Sequence, residues 1–308
     1  MESRDRPQAA AQKPLSATTL KIYADDWRAF CDWCAAQNAS YLPALSATVA
    51  AYLTMRQNNL GGSGLRVAHA AIAFHHRQAG LAWSSTDPVI ATLLRDVAKT
   101  QTRAVRPAAA LTATEIALLL SSCDHDPGGR AGFLNLRDRA LLSIGFAGGL
   151  RRSELVALDC EDLDFTTAGL TLRIRNPRSD QPSAAASSSS SLIVSRGTQA
   201  ETCPVQAMEI WLRRSGIEYG PIFPRLTAAG TIEARLTGNG VWKILRRRAA
   251  QVGLQAPAGQ RLSPHGMRAG FIAEAYGKGA AEAEVMAQAR QKDRSTARRY
   301  RPRAGSPA

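Results

Sequence analysis

The sequence predicts a mainly α-helical fold with a small antiparallel β-sheet, divided into two units. Apolar residues recur at spacings of three and four along most of the chain, which is typical of amphipathic helices. Two segments, 163–174 and 192–194, have the pattern of short strands instead. A Pro-containing stretch over 104–110 reads as a linker, and a chain of 308 residues is typical of about two domains.

The first unit is predicted to be an all-helical domain over residues 15–103. Ser16 is a candidate N-cap for its first helix, in which the apolar stripe runs from Leu20 to Cys34. Three further helices are predicted over about 46–56, 65–78 and 88–100. Residues 1–14 are polar and rich in Ala, Gln and Pro, so we expect a disordered tail there.

The second unit is predicted over residues 111–303, with 304–308 as a short tail. Helices are expected over about 137–147, 153–155, 204–214, 237–250, 264–275 and 281–289. Residues 163–174 divide into two strands at Ala168-Gly169, and 192–194 form the returning strand. Between them lies a Ser- and Ala-rich stretch over 181–191, which is expected to be a mobile hairpin tip.

Composition excludes several classes of protein. The content of 45% hydrophobic residues is enough for a core, which argues against a wholly disordered chain. Five cysteines in 308 residues are too sparse for a secreted disulfide framework. No run of about 18 apolar residues predicts a membrane helix, and the first residues lack the apolar core of a signal peptide. We therefore expect a soluble, cytoplasmic protein.

The charge points to a polyanionic partner. The formal net charge is +14, and residues 242–303 contain 14 basic but only four acidic side chains. A solvated helical face would mix the two signs at positions i and i+4, so one basic surface is predicted in this segment. Nucleic acid is the simplest partner for it, although a generally basic surface would also explain the charge.

Four local features are candidates for chemistry. Arg151 follows a helix that ends at Gly148-Gly149, and Glu154 lies three residues further on. His265 and Arg268 share a helix face in a segment for which Ser263 is the predicted N-cap. The other two features are Tyr300, close to the C-terminus, and the hairpin near Arg178.

These residue types suit phosphodiester chemistry. Two guanidinium groups can bind both non-bridging oxygens, a histidine can accept a proton, and a tyrosine can form a covalent ester. Taken singly, each motif has a simpler explanation: a helix-capping salt bridge, surface groups, or a packed tyrosine. Their order and spacing favour catalysis. Since the chain has no P-loop, H-E-x-x-H motif or carboxylate cluster, we expect no cofactor and no metal.

Over residues 15–303 the sequence resembles the tyrosine recombinases of the phage integrase family. The first unit resembles their helical core-binding domain, which binds DNA, and the second their α+β catalytic domain. Arg151 in Gly149-Leu-Arg-Arg-Ser-Glu-Leu155 matches the first catalytic arginine. His265 and Arg268 match the family's H-x-x-R motif, and Tyr300 matches its nucleophile.

Two positions depart from the family pattern. Arg178 stands where the family has a lysine that acts as a general acid, and Gln291 stands where it has a histidine or tryptophan. Arginine stays protonated and is a poor proton donor, so weakened activity is expected. Two alternatives therefore stay open: a catalytically impaired homologue that acts as a DNA-binding accessory or regulatory protein, and a type IB topoisomerase.

The resemblance implies a site-specific recombinase or integrase of a mobile genetic element. It would cut and rejoin double-stranded DNA through a 3′-phosphotyrosyl intermediate, without a cofactor. Its working form would be a homotetramer on paired recombination sites. It would act in the bacterial cytoplasm, associated with the nucleoid.

Overall fold

The computed structural model describes residues 15–83, 87–100, 106–123, 129–175, 190–227 and 231–291. The chain divides into two compact units between Val105 and Arg106. Helices dominate the described residues, and the strands form two small antiparallel sheets, so the predicted fold class is confirmed. No helix in these ranges is long and apolar enough to cross a membrane.

The described part of the first unit is helical. Its helices are α1 (Ala17–Ala36), α2 (Ser46–Arg56), α3 (Gly62–Gln78) and α4 (Pro88–Thr100). Ser16 caps α1 as predicted, since its hydroxyl accepts a hydrogen bond from the backbone N–H of Thr19. The core of the unit contains large side chains from all four helices, namely Phe30, Tyr52, Leu53, Leu65, Ile72 and Ile90.

The second unit combines helices with short strands. Its helices are α5 (Ala113–Ser121), α6 (Gly129–Ala147), α7 (Arg152–Ala157), α8 (Pro204–Ser215), α9 (Gly238–Gln251), α10 (His265–Gly277) and α11 (Glu282–Gln288). Its strands are β1 (Leu163–Phe165), β2 (Gly169–Ile174), β3 (Ser190–Ser195), β4 (Pro224–Leu226) and β5 (Ile232–Arg235). A core of apolar side chains from the helices and the larger sheet positions α7 and α10.

The larger sheet has the predicted antiparallel order β1-β2-β3. Alternate residues such as Leu170, Leu172 and Val194 are buried in the core, as the strand pattern requires. The smaller sheet, β4-β5, was not predicted. Its strands are only three and four residues long, so the alternation of apolar and polar residues within them is too short to predict a strand.

The segment predicted as a linker, 104–110, belongs to the second unit from Arg106 onward. The backbone N–H of Ala109 donates to the carbonyl of Arg261 at 3.0 Å. A Cβ atom at Gly266 would lie only 2.2 Å from the carbonyl oxygen of Ala109, so glycine permits this close approach. This packing rests on backbone contacts between residues about 150 positions apart, which a sequence pattern does not reveal.

Candidate active site

Arg151 lies at the N-terminus of α7, directly after the turn that ends α6. Gly149 adopts φ +52°, a conformation that favours glycine, and a Cβ there would lie 2.6 Å from the ring of Phe271. The tight turn lets the chain leave the buried helix α6 and begin a new helix at once. As a result the Arg151 side chain is 45% exposed.

Glu154 holds Arg151 in place. Its Oε1 atom lies 2.5 Å from Nη1 of Arg151, and its Oε2 atom accepts the backbone N–H of the same residue at 2.8 Å. The helix-capping salt bridge considered for this motif is therefore present. It orients one face of the guanidinium group and leaves the side chain partly open to solvent.

His265 and Arg268 lie on the first turn of α10, as their spacing predicts. The predicted cap of this helix is wrong. The Ser263 hydroxyl is buried and makes no hydrogen bond in the described ranges, while the carbonyl of Ser263 accepts the N–H of Gly266 at 2.8 Å. This main-chain turn satisfies the amide that a serine cap would have bound.

Arg268 is buried and connects two backbone segments. Its Nη1 atom donates to the carbonyl of Gly149 at 2.7 Å, and its Nη2 atom donates to the carbonyl of Ala289. The first contact places Arg268 beside the turn that presents Arg151. The two arginines predicted to bind a phosphate are thus brought together from positions more than 100 residues apart.

Arg151 and His265 line one cleft of about 700 Å³. The other residues around it are Arg152, Ser153, Asn239, Trp242, Arg261, Ser263 and Pro264. Burial, followed by the positive charges of Arg268, Arg151 and Arg261, lowers the pKa of His265 below its ordinary value. The imidazole is therefore neutral at neutral pH and able to accept a proton.

Of the remaining predicted residues, Gln291 lies within the described ranges, three residues after the end of α11. Gln291 comes directly after Arg290, whose carbonyl accepts a hydrogen bond from Nη2 of Arg151 at 3.0 Å. The Oε1 atom of Gln291 is buried and has no hydrogen-bond partner in the described part of the chain. Tyr300 and Arg178 lie outside the described residues.

The prediction of one basic surface over 242–303 is wrong for part of that segment. Arg248 and Arg268 are buried, and the side chain of Arg290 is almost completely buried. Sequence reasoning did not single out Arg290 at all. Its only signal was its position directly before Gln291, a residue already chosen by register.

The comparisons with known proteins agree with this geometry. Residues 109–305 match the model of the phage integrase family. An integrase/recombinase XerD homologue from Selenomonas ruminantium is 27% identical over 308 aligned positions, which cover 97% of this chain and 87% of the relative. Because the family model matches more than half of the chain, the chain belongs to the phage integrase family, and it is a tyrosine recombinase, a DNA strand transferase.

Solved structures share the fold at low sequence identity. The Tn1549 transposon integrase in complex with transposon right-end DNA superposes with a TM-score of 0.60 at 16% identity, over 94% of this chain and 90% of that one. A lambda integrase dimer bound to a COC′ core site gives 0.59 at 16% identity, over 97% and 93% of the two chains. These similarities show the fold, a combination of helices with small sheets.

Proposed function

We propose that this chain is a site-specific recombinase that cuts and rejoins double-stranded DNA, with Tyr300 as its nucleophile. The observation that carries the proposal is the cleft lined by Arg151 and His265, with Arg268 bound to the adjacent turn. Such a cleft offers positive charge and a neutral base at one place. The names of the relatives, which describe recombinases and integrases, support the same reaction.

Arg151 and Arg268 would bind the scissile phosphate. Guanidinium groups donate in a planar fork that fits two phosphate oxygens. Negative charge on those oxygens grows as the phosphorus becomes pentacoordinate, so groups fixed in advance stabilise that state most. Gly149 and Glu154 supply the fixing contacts for the two side chains.

His265 would take up the proton of the attacking hydroxyl. A tyrosine hydroxyl has an ordinary pKa of about 10, so a neutral imidazole nearby helps its oxygen to attack phosphorus. The new bond joins the tyrosine oxygen to the 3′ phosphate, and the bond to the 5′ oxygen breaks. Arg178 would stabilise the departing oxygen in place of a lysine, and Gln291 would donate its amide N–H to a phosphate oxygen.

The freed 5′-hydroxyl of a partner strand would then attack the phosphotyrosyl bond and release Tyr300. The ester keeps the energy of the original phosphodiester, so the exchange needs neither ATP nor a metal. Exchange between two sites requires two cleaved strands at each site, which supports a homotetramer on paired DNA sites. The chain would act on DNA of a mobile element, at the nucleoid in the cytoplasm.

The test is a duplex nicked close to the cleavage position, so that the short fragment carrying the freed 5′-hydroxyl is lost after attack. Wild-type protein should then accumulate a covalent DNA adduct, visible in a denaturing gel. Tyr300→Phe should form none. Tyr219, which is 82% exposed, offers the matched control, and Tyr219→Phe should form the adduct at the wild-type level.

Two results would contradict the proposal. Absence of an adduct with wild-type protein, on DNA that it binds, would mean that the chain does not cleave. An adduct that persists in Tyr300→Phe would assign the nucleophile to another residue. Nothing in the described residues favours the alternative of an accessory protein without catalysis.

A further inference from the structure

Arg290 has an unusual backbone conformation. It follows the C-cap of α11, Ala289, and adopts φ +51°. A residue with a Cβ is uncommon in this left-handed region, where glycine carries no steric cost. The cost is tolerated at a position where the side chain makes contacts that glycine could not make.

The contacts of Arg290 converge on the turn that carries Arg151. Its Nη2 atom lies 2.9 Å from Oε2 of Glu154 and 3.1 Å from the carbonyl oxygen of Gly149. Its Nη1 atom donates to the carbonyl of Gln288 at 2.6 Å, which closes the end of α11. The side chain is only 10% exposed, and it is not among the residues that line the cleft.

The Glu154 contact connects Arg290 to Arg151. One carboxylate serves both guanidinium groups, Oε1 binding Arg151 and Oε2 binding Arg290. Burial would raise the pKa of Glu154, but the charge and hydrogen bond of Arg290, together with the donors of Arg151, bring it below its ordinary value. Arg290 therefore helps to keep ionised the carboxylate that orients Arg151.

The Gly149 contact connects Arg290 to Arg268. The same carbonyl oxygen accepts hydrogen bonds from Nη1 of Arg268 at 2.7 Å and from Nη2 of Arg290 at 3.1 Å. The backbone of Arg290 adds a third link, because its carbonyl accepts Nη2 of Arg151. One residue thus contacts the supports of both arginines.

We propose that Arg290 is a positioning residue that fixes the guanidinium groups of Arg151 and Arg268 where both can bind the scissile phosphate. The inference rests on the proposed function and assigns a role to a residue outside the matched catalytic motifs. Its guanidinium group binds Glu154 and Gly149, so it acts on the two arginines through these supports. A displacement of about 1 Å in a phosphate-binding group costs about 100-fold in rate.

The variant that tests this is Arg290→Gly, since glycine accepts φ +51° and the change removes only the side chain. Single-turnover adduct formation on the nicked duplex should fall by about 10–100-fold. DNA affinity measured by fluorescence anisotropy should stay within about twofold, because the side chain does not line the cleft and is assigned no phosphate contact.

A second substrate separates positioning from a general loss of structure. Replacing one non-bridging oxygen of the scissile phosphate by methyl removes its charge, so precise placement of two guanidinium groups matters less. On this substrate the rate of adduct formation by Arg290→Gly should come within about threefold of the wild-type rate. A misfolded site would lose the same factor on both. Arg290→Lys keeps a charge beside Glu154 without the planar fork, and it should show the same difference between substrates if the glycine variant fails to fold.

The outcomes are distinguishable. If wild-type protein forms no adduct, the proposed function fails. If wild-type protein forms the adduct and Arg290→Gly matches it, or loses the same factor on the charged and the uncharged substrate, the positioning role is overturned while the proposed function stands.

Discussion

Asp138 and Glu154 are two carboxylates of the second unit that each bind more than one arginine, and the side chains of both are largely buried. Asp138 is fully buried and binds Arg137, Arg247 and Arg248. Glu154 is 9% exposed and binds Arg151 and Arg290. The same residue types meet in both places, so residue type alone does not separate a structural cluster from a site.

The difference lies in the other partners of the guanidinium groups. In the Asp138 cluster, Arg248 also donates to the carbonyl of Ser122 and to Oδ1 of Asn135, at 3.0 and 2.9 Å. Arg137 donates to the carbonyl of Pro224. The Asn135 contact joins α9 to α6, and the other two join α9 to the end of α5 and α6 to β4. In the Glu154 cluster, by contrast, Arg151 lines a cleft, so its charge is accessible to a ligand.

Removing the charge of Asp138 should have the largest effect on stability. In Asp138→Asn, Arg137 and Arg248 stay buried without a counter-charge, which costs about 3–5 kcal/mol of unfolding free energy. This loss of unfolding free energy is measured by urea denaturation, with circular dichroism as the probe of unfolding. As a matched control, Glu233→Gln removes the partner of Arg225 in an exposed pair and should change stability by less than about 1 kcal/mol. A loss below about 1 kcal/mol in Asp138→Asn would mean that the cluster does not stabilise the unit.

A smaller effect is expected from the charge that surrounds the cleft. Arg261 lowers the pKa of His265, after burial, Arg268 and Arg151, so Arg261→Gln should raise it. A general base acts when neutral, and its activity is lost as the pH falls through its pKa. The acid limb of adduct formation should therefore move to higher pH. Arg213→Gln removes an exposed charge that does not act on His265, and its profile should be unchanged. Identical profiles for wild type and Arg261→Gln would contradict the role of His265.

Local structure was predictable where interactions between residues close in the sequence determine it. The bounds of α2 and the cap at Ser16 follow from apolar spacing and from the hydrogen bond that a serine can accept. The cap at Ser263 was wrong because a main-chain turn satisfied the amide first. The strands β4 and β5 were missed because an alternation over three or four residues is too short to predict a strand.

The site was predictable only as a set of residue types. Arg151, His265 and Arg268 could be chosen from motif order, and two of them line one cleft. The links that join them could not be predicted, because Glu154 and Arg290 meet across 136 positions of the chain. For the same reason the buried arginines of 242–303 looked like surface charge. Which guanidinium is covered depends on tertiary contacts.

The most direct test of the comparison uses two arginines of similar exposure, one bound to Glu154 and the other to Asp138. Arg151 and Arg247 are 45% and 43% exposed, and each pairs with a buried carboxylate. Single-turnover adduct formation should fall by about 10²–10³-fold in Arg151→Gln and stay within about twofold of wild type in Arg247→Gln. Equal losses in the two variants would contradict the division of the arginines into a structural cluster and a catalytic one.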